Sequence, residues 1–455
     1  MSDPTSDPLP DALTDRVTAH LRSVMHPEAH VTHLKPISGG ACQDNLKVVV
    51  AVPGHADQTF VLRSDAPSGL PGSIDRRTEA AVITAAVAAG VPTPAARYGA
   101  DDLVRPGAHA WLMDWVDGTV LGGKVARSPK LSRARALLPA QLGGALAAVH
   151  RVPASSGLPI AGANGDPVAF AVEEVSRMVS AMPVQRPAQT WAVQWLRDHA
   201  PTPTGHTLVH RDFRLGNLMV DPDAGLVAVL DWEFARYGDP AEDLGWFCVR
   251  DWRFGALHLG GGGVCSRASL LHAYAQASGC QIDIDTLAFW EILGNVRWAA
   301  SAVLQGVRAR AGGKSGRGLD VELLSIPRRA AEMEWEALRL IRRIDKHSAP
   351  SISANHSTVG DHTPPDVLVQ AAVDWLSGPA LDVLKGADQG VAFQARVVSW
   401  LLSGVAREVA GSTDASADFV PNADPQVAHD QLCSRLAAEL DVVQPRFDRG
   451  EDGAA

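Results

Sequence analysis

The chain has 455 residues, 46% hydrophobic and 20% charged, an ordinary globular mixture too long for one core. No apolar run approaches the roughly 18 residues that span a bilayer. The start from Met1 to Asp15 lacks the basic flank and apolar stretch of a signal peptide, so a cytoplasmic location is expected. Of the net charge of −10, most lies in residues 351–455, which carry 15 Asp/Glu against 6 Lys/Arg; this sets the segment apart and argues against nucleic acid and anionic membrane as partners. The five cysteines are scattered without a C-x-x-C pair, which fits buried free thiols better than a disulfide framework or a zinc site.

In chain order, the first fifteen residues read as disordered. Leu46 to Val52 and Thr59 to Arg63 are β-rich runs around a Pro-Gly-His-Ala-Asp turn, so a hairpin is expected. A helix should run from Ile74 to Ala89, stopped by Gly90 and Pro92, and Trp111 to Val116 reads as a strand. Helical periodicity returns from Leu131 to about Val152, with Leu138, Leu142, Leu146 and Val149 on one face, and again over Pro167–Val179 and Pro187–Asp198. Thr207–His210, Asn217–Val220 and Leu226–Leu230 are short apolar strands around a polar loop. Beyond Asp239-Pro240 the chain turns helical to about Ile344. Residues from Lys346 to Pro365 have the composition of a linker, and three helices are expected beyond it, over Pro365–Leu384, Ala392–Val409 and Pro425–Val443.

The chemistry concentrates in Leu208 to Met219, L-V-H-R-D-F-R-L-G-N-L-M. His210-Arg211-Asp212 is followed by Asn217 and, after an apolar strand, by Asp231. Phosphoryl transfer needs one carboxylate to orient and deprotonate the attacking hydroxyl, and a carboxamide with a second carboxylate to hold Mg²⁺ on the phosphates. A short loop between two strands lets Asp212 and Asn217 face one point, and the next strand delivers Asp231 beside them.

The segments V-H-R-D-F-R-L-G-N-L-M-V-D, V-L-D-W-E-F-A and G-D-P-A-E-D-L-G-W resemble the aminoglycoside phosphotransferase-like kinases. Within that group they are similar to the branch found as the kinase-like domain of some acyl-CoA dehydrogenase fusion proteins. The likeness covers roughly Leu34 to Ile344. It implies an α+β, two-lobed kinase-like fold: a disordered stretch over 1–20, a β-rich lobe over 21–116 and a mainly helical lobe over 117–345. A linker over 346–364 and a small all-α domain over 365–450 follow. It also implies ATP and Mg²⁺ as cofactors, Asp212 as the base, and Asn217 and Asp231 as metal ligands. Glu233 stands where the family carries a second acidic residue, and His210 and Arg214 flank the base as supporting residues. Asp239 and Asp243 support the fold, with Asp243 expected to cap a helix.

In the first lobe, Ser38, Gly39 and Gly40 precede a strand and are candidates to lie over phosphates through backbone N–H groups. Arg63 stands where kinase-type folds place a strand lysine, with Glu79 as its helix partner. Met113 and Trp115 fit a hinge against adenine. Trp246, Arg250, Trp252, Arg253 and Phe254, joined by Arg297 and Trp298, suit an anionic or acylated acceptor better than a polycation. The expected activity is transfer of the γ-phosphoryl of ATP to the hydroxyl of a small molecule, a hydroxyacyl or other anionic metabolite. The alternatives are an aminoglycoside or choline-like acceptor, a silent nucleotide-binding scaffold, and an interaction protein that finds its partner or oligomerises through the C-terminal domain.

Overall fold

Alternating burial builds the first sheet. In the computed structural model, which describes residues 11–37, 44–65, 72–183, 185–310, 326–346, 373, 398–399, 402–403 and 424–443, five antiparallel strands lie in the order β1 (His30–Pro36), β2 (Asp44–Ala51), β3 (Gln58–Ser64), β5 (His109–Asp114), β4 (Arg97–Asp101). The expected hairpin is β2–β3, with Leu46 opposite Leu62 and Val48 opposite Phe60. Successive side chains alternate between the two faces. Leu46, Val48, Val50, Phe60, Leu62, Ala110 and Leu112 therefore fill one core. Val61, Arg63, Trp111 and Met113 take the opposite face.

Helix α1 (Asp11–Val24) covers the first of these faces. Leu13, Val17 and Leu21 recur at helical spacing and are buried against the sheet. The disorder expected over 1–20 is thus corrected for residues 11–20: this apolar stripe outweighs the polar composition that surrounds it. Helix α2 (Arg76–Ala88) begins at its N-cap Asp75, whose side chain accepts from the Thr78 N–H at 2.7 Å. Further along come α3 (Gly122–Arg127), α4 (Ser132–Val149), α5 (Pro167–Ser180) and α6 (Pro187–Asp198), then two small sheets. One pairs β6 (Thr207–Val209) with β9 (Arg236–Gly238), the other β7 (Leu218–Asp221) with β8 (Gly225–Val229). Helices α7 (Pro240–Cys248), α8 (Arg267–Ser278), α9 (Ile284–Arg310), α10 (Ala330–Asp345) and α11 (Pro425–Val443) complete the described elements. Strands β1, β4 and β9 and helices α1 and α3 are additions to the sequence reading.

The chain divides into two compact units, Met1–Phe170 with Thr202–Leu287, and Ala171–Pro201 with Ala288–Ala454. In the second, Ala188 of α6, Trp335 and Leu338 of α10, and Leu432, Leu436 and Leu440 of α11 share one apolar seam. Arg186 beside that seam pairs with Glu334 and, at 2.8 Å, with Glu439. Most of the expected linker, and most of the two expected helices between it and α11, lie outside the described residues. Among the described residues no helix is long and apolar enough to cross a membrane. Cys248, Cys265 and Cys433 are buried free thiols, and burial pushes the Cys265 and Cys433 thiols up to about 12. Leu21→Ala should lower unfolding free energy by about 2–5 kcal/mol, read from urea denaturation. A loss below about 0.5 kcal/mol would show that α1 is not part of the core.

Candidate active site

The loop from β6 to β7 carries the candidate catalytic residues, and buried polar groups fix its shape. Asp243, in the first turn of α7, accepts the N–H groups of His210 and Arg211, each at 2.7 Å. These are two backbone donors that would otherwise be buried without partners. Arg211 there adopts φ +64°, a left-handed conformation that a non-glycine residue holds only when its surroundings enforce it. The expected role of Asp243 as a helix cap is corrected. The cap is Asp239, which accepts from the Ala241 N–H at 2.8 Å, leaving Asp243 one turn deeper to hold the loop. Asp243 also accepts from His150 Nε2 at 3.3 Å. Burial pushes its carboxyl up, but the bonds and charge of His150, with those of His210, outweigh this and hold it below the ordinary range. His210 donates from Nε2 to the Leu230 carbonyl at 3.0 Å, and its Nδ1 accepts from the Asp212 N–H at 3.2 Å. It shapes the loop from inside.

Asp212 is the focus of the loop. Its Oδ1 accepts from Arg214 Nε at 3.0 Å and Trp246 Nε1 at 3.0 Å, and its Oδ2 from Asn217 Nδ2 at 2.6 Å and Arg214 Nε at 3.2 Å. The Arg214 guanidinium lies over the Trp252 ring, 4.9 Å from its centroid.

Asp231 follows β8 at φ +69°. Its Oδ1 accepts from Arg63 Nη2 at 2.9 Å, and the same nitrogen donates to Glu79 Oε1 at 3.2 Å. Arg63 thus joins β3 to α2 and to the residue expected to bind metal. Burial raises the Asp231 carboxyl, but the charge and hydrogen bond of Arg63, with Arg214 and Arg76 behind it, hold it below the usual carboxylate range. Its side chain remains 30% exposed. Oxygen donors from Asp231 and Asn217, both lining one cleft, suit a hard divalent cation such as Mg²⁺, which takes few protein ligands and completes its shell with phosphate and water.

That cleft, about 470 Å³, is lined by Val61 and Met113 from the five-stranded sheet, Ile37 just after β1, Met219 from β7 and Leu230 just after β8, together with the polar Arg63, Asn217, Asp231 and Glu233. Trp115 sits at the mouth, 37% exposed, with Lys47 Nζ 4.4 Å above its ring. The segment after β5 is clasped to β7 by paired backbone bonds, Thr119 N–H to Val220 O at 2.9 Å and Val220 N–H to Thr119 O at 3.0 Å. Gly118 makes that approach feasible: at φ +145°, a Cβ would lie 2.9 Å from Met219 Cγ.

Other expected residues are placed differently. Glu233 lines the same cleft and is buried against Arg76, 3.6 Å from its Nη2. Arg253 donates to the carbonyls of Cys248 and Leu257, so it pins its own loop and is corrected from an acceptor-binding to a structural role. Arg297 lies buried in α9, in the second compact unit. Ser38, Gly39 and Gly40 lie outside the described residues. The sequence reading missed Arg76, which pairs with Glu79 through Nη1 and faces Glu233. Its position three residues before Glu79 on a helix was the available signal.

A family model described as the phosphotransferase enzyme family matches residues 33–290. The chain belongs to this family. Among curated relatives of this chain, acyl-CoA dehydrogenase family member 10 of Mus musculus is 33% identical over 199 residues, 43% of this chain and 18% of the relative. Acyl-CoA dehydrogenase family member 11 of Pongo abelii is 28% identical over 271 residues, 56% of this chain and 34% of the relative. The chain therefore spans only a fifth to a third of the length of these proteins. A Ralstonia eutropha crystal structure assigned as an aminoglycoside phosphotransferase superposes with a TM-score of 0.57 at 25% identity, covering 72% of this chain and 98% of that one. The α+β architecture is thus that of the kinase-like phosphotransferases.

Because the Asp243 carboxyl is depressed in the fold, its contribution to stability is complete above the unfolded value near 3.8 and is lost as pH falls through the folded value. Asp243→Asn should therefore flatten the rise of stability with pH below about 4, followed by urea unfolding across that range. An acid limb identical to wild type would remove Asp243 from the linkage.

Proposed function

We propose that this phosphotransferase is an ATP- and magnesium-dependent kinase acting on the hydroxyl of a small molecule. One observation carries the reading: Asn217 and Asp231 line one cleft with Arg63, which is bonded to Asp231, and Asn217 bonds directly to the Asp212 carboxylate. A silent nucleotide-binding scaffold has no use for the complete set. The apolar walls of the cleft suit a flat heterocycle, and Arg63 presents a permanent positive charge to phosphates. When bound, Mg²⁺ supplies charge neutralisation on the phosphates, held by Asp231 and the Asn217 carbonyl. Asp212 orients the acceptor hydroxyl and takes its proton. Arg76 and Arg63 together hold Glu79, which keeps α2 and β3 in register around the phosphates.

The acceptor is a hydroxyacyl or other anionic metabolite. A guanidinium stacked on Trp252 beside Asp212 suits an anion and repels a polycation such as an aminoglycoside. The names of the curated relatives, which refer to acyl-CoA chemistry, are consistent with an acyl thioester. The test is ADP formation with hydroxyacyl thioesters, aminoglycosides and choline as pooled acceptors. Turnover only with the cationic pools would overturn the acceptor class, and turnover with none of the pools would count against the kinase reading.

Asp212→Asn should lower kcat by about 10²–10⁴-fold while calorimetry finds ATP binding intact. Asp231→Ala should instead abolish the magnesium dependence of ATP binding. Arg63→Lys exchanges a planar guanidinium, whose Nη2 serves two carboxylates, for a point charge and should cost about 1–2 kcal/mol in kcat/KM for ATP, less than additive with Glu79→Gln. A silent, uncoupled pair in the four-member cycle would place the phosphates on the backbone alone.

A further inference from the structure

Three N–H groups converge on the Asp212 carboxylate, and one of them, Arg214 Nε–H, is shared between its two oxygens. A carboxylate has about four lone-pair sites. Here Arg214 Nε and Trp246 Nε1 take Oδ1, and Asn217 Nδ2 with Arg214 Nε take Oδ2. A hydroxyl that is to hand its proton to Asp212 competes with these donors, and the shared Arg214 Nε–H is the one that stands across both oxygens. Trp246 is fixed within α7 and is 5% exposed. Asn217 is 6% exposed and is held a second time, by its bond to the Asp212 backbone carbonyl at 2.9 Å. Arg214 differs from both. Its side chain is 27% exposed, its reach is a flexible three-carbon stem, and its guanidinium already rests on the face of Trp252 while it bonds Asp212. The chain also reserves space for it: a Cβ at Gly216 would collide with Arg214 Nη1.

We propose that Arg214 is a latch on Asp212, occupying the carboxylate until a bound acceptor draws the guanidinium away, so that water is denied the base while ATP waits. This rests on the kinase reading above and adds to it a positioning residue that separates transfer from hydrolysis. The reaction suppressed is balanced as follows. A water oxygen bonds to the γ-phosphorus, and the bond from that phosphorus to the β–γ bridging oxygen breaks with its electron pair leaving on ADP. The water proton passes to Asp212 and on to solvent, giving ADP and inorganic phosphate.

The experiment measures ADP release from ATP and Mg²⁺ without acceptor, in the full chain, for wild type, Arg214→Ala, Gly216→Ala, and Arg214→Ala combined with Asp212→Asn. ATP affinity is followed in parallel by calorimetry. Releasing the latch should raise acceptor-free hydrolysis by at least about tenfold with the KM for ATP unchanged. Gly216→Ala, which displaces the guanidinium without deleting it, should do the same. The combined variant should fall back to the wild-type level or below. Should Arg214→Ala fail to fold, Gly216→Ala decides. Hydrolysis at or below the wild-type rate in a variant that binds ATP normally would overturn the latch and leave the kinase reading standing. Absence of ATP binding in wild type would overturn both.

Discussion

The candidate site depends on one buried carboxylate. Asp243 collects the N–H groups of His210 and Arg211 and the Nε2–H of His150. It thereby converts a loop with a left-handed residue into a rigid mount. A charge placed there in isolation would be costly, and the three donors are what make its burial tolerable. Everything functional downstream inherits its position from that mount. Asp212 lies one residue beyond Arg211, and Asn217 bonds back to it. Leu230, which accepts from His210 and donates its N–H to the Asn217 carbonyl at 2.8 Å, immediately precedes Asp231.

Around the phosphate end of the cleft, charge is arranged as a chain of shared partners. Glu79 lies between Arg63 and Arg76, Arg63 lies between Glu79 and Asp231, and Arg76 reaches on toward Glu233. Each buried ion has more than one counter-charge, so no single pair carries the full desolvation cost. The backbone bond from the Ile74 N–H to the Glu233 carbonyl at 2.8 Å ties the entry of α2 to the same segment. The helix is thus set by contacts that do not depend on Arg63 alone.

Local spacing was the legible part of the sequence. Asp212 and Asn217 belong to one loop, and Asp231 follows one hairpin later, so their convergence could be read from residue order. The β2–β3 hairpin and the α11 boundaries were equally local. Partners distant in sequence were not legible. Nothing near Asp243 announces that its oxygens meet amides 32 and 33 residues upstream, and a nearby helix start offered a cheaper assignment. Arg253 looked like an acceptor ligand because its neighbours are aromatic, yet its donors go to carbonyls of its own loop. Helix α1 was hidden because three apolar residues carry its signal among many polar ones.

The second unit is discontinuous, and its seam needs α11. During synthesis the first unit has all of its described elements once Leu287 has left the ribosome, so its sheet and loop are free to assemble while translation continues. Among the described residues, the seam that α6 and α10 share is completed only by α11. Trp335 and Leu338 must wait for Leu432, Leu436 and Leu440, and Arg186 for Glu439. The described seam is therefore completed only after residues 346–424 have been translated, and the time that takes separates the assembly of the two units.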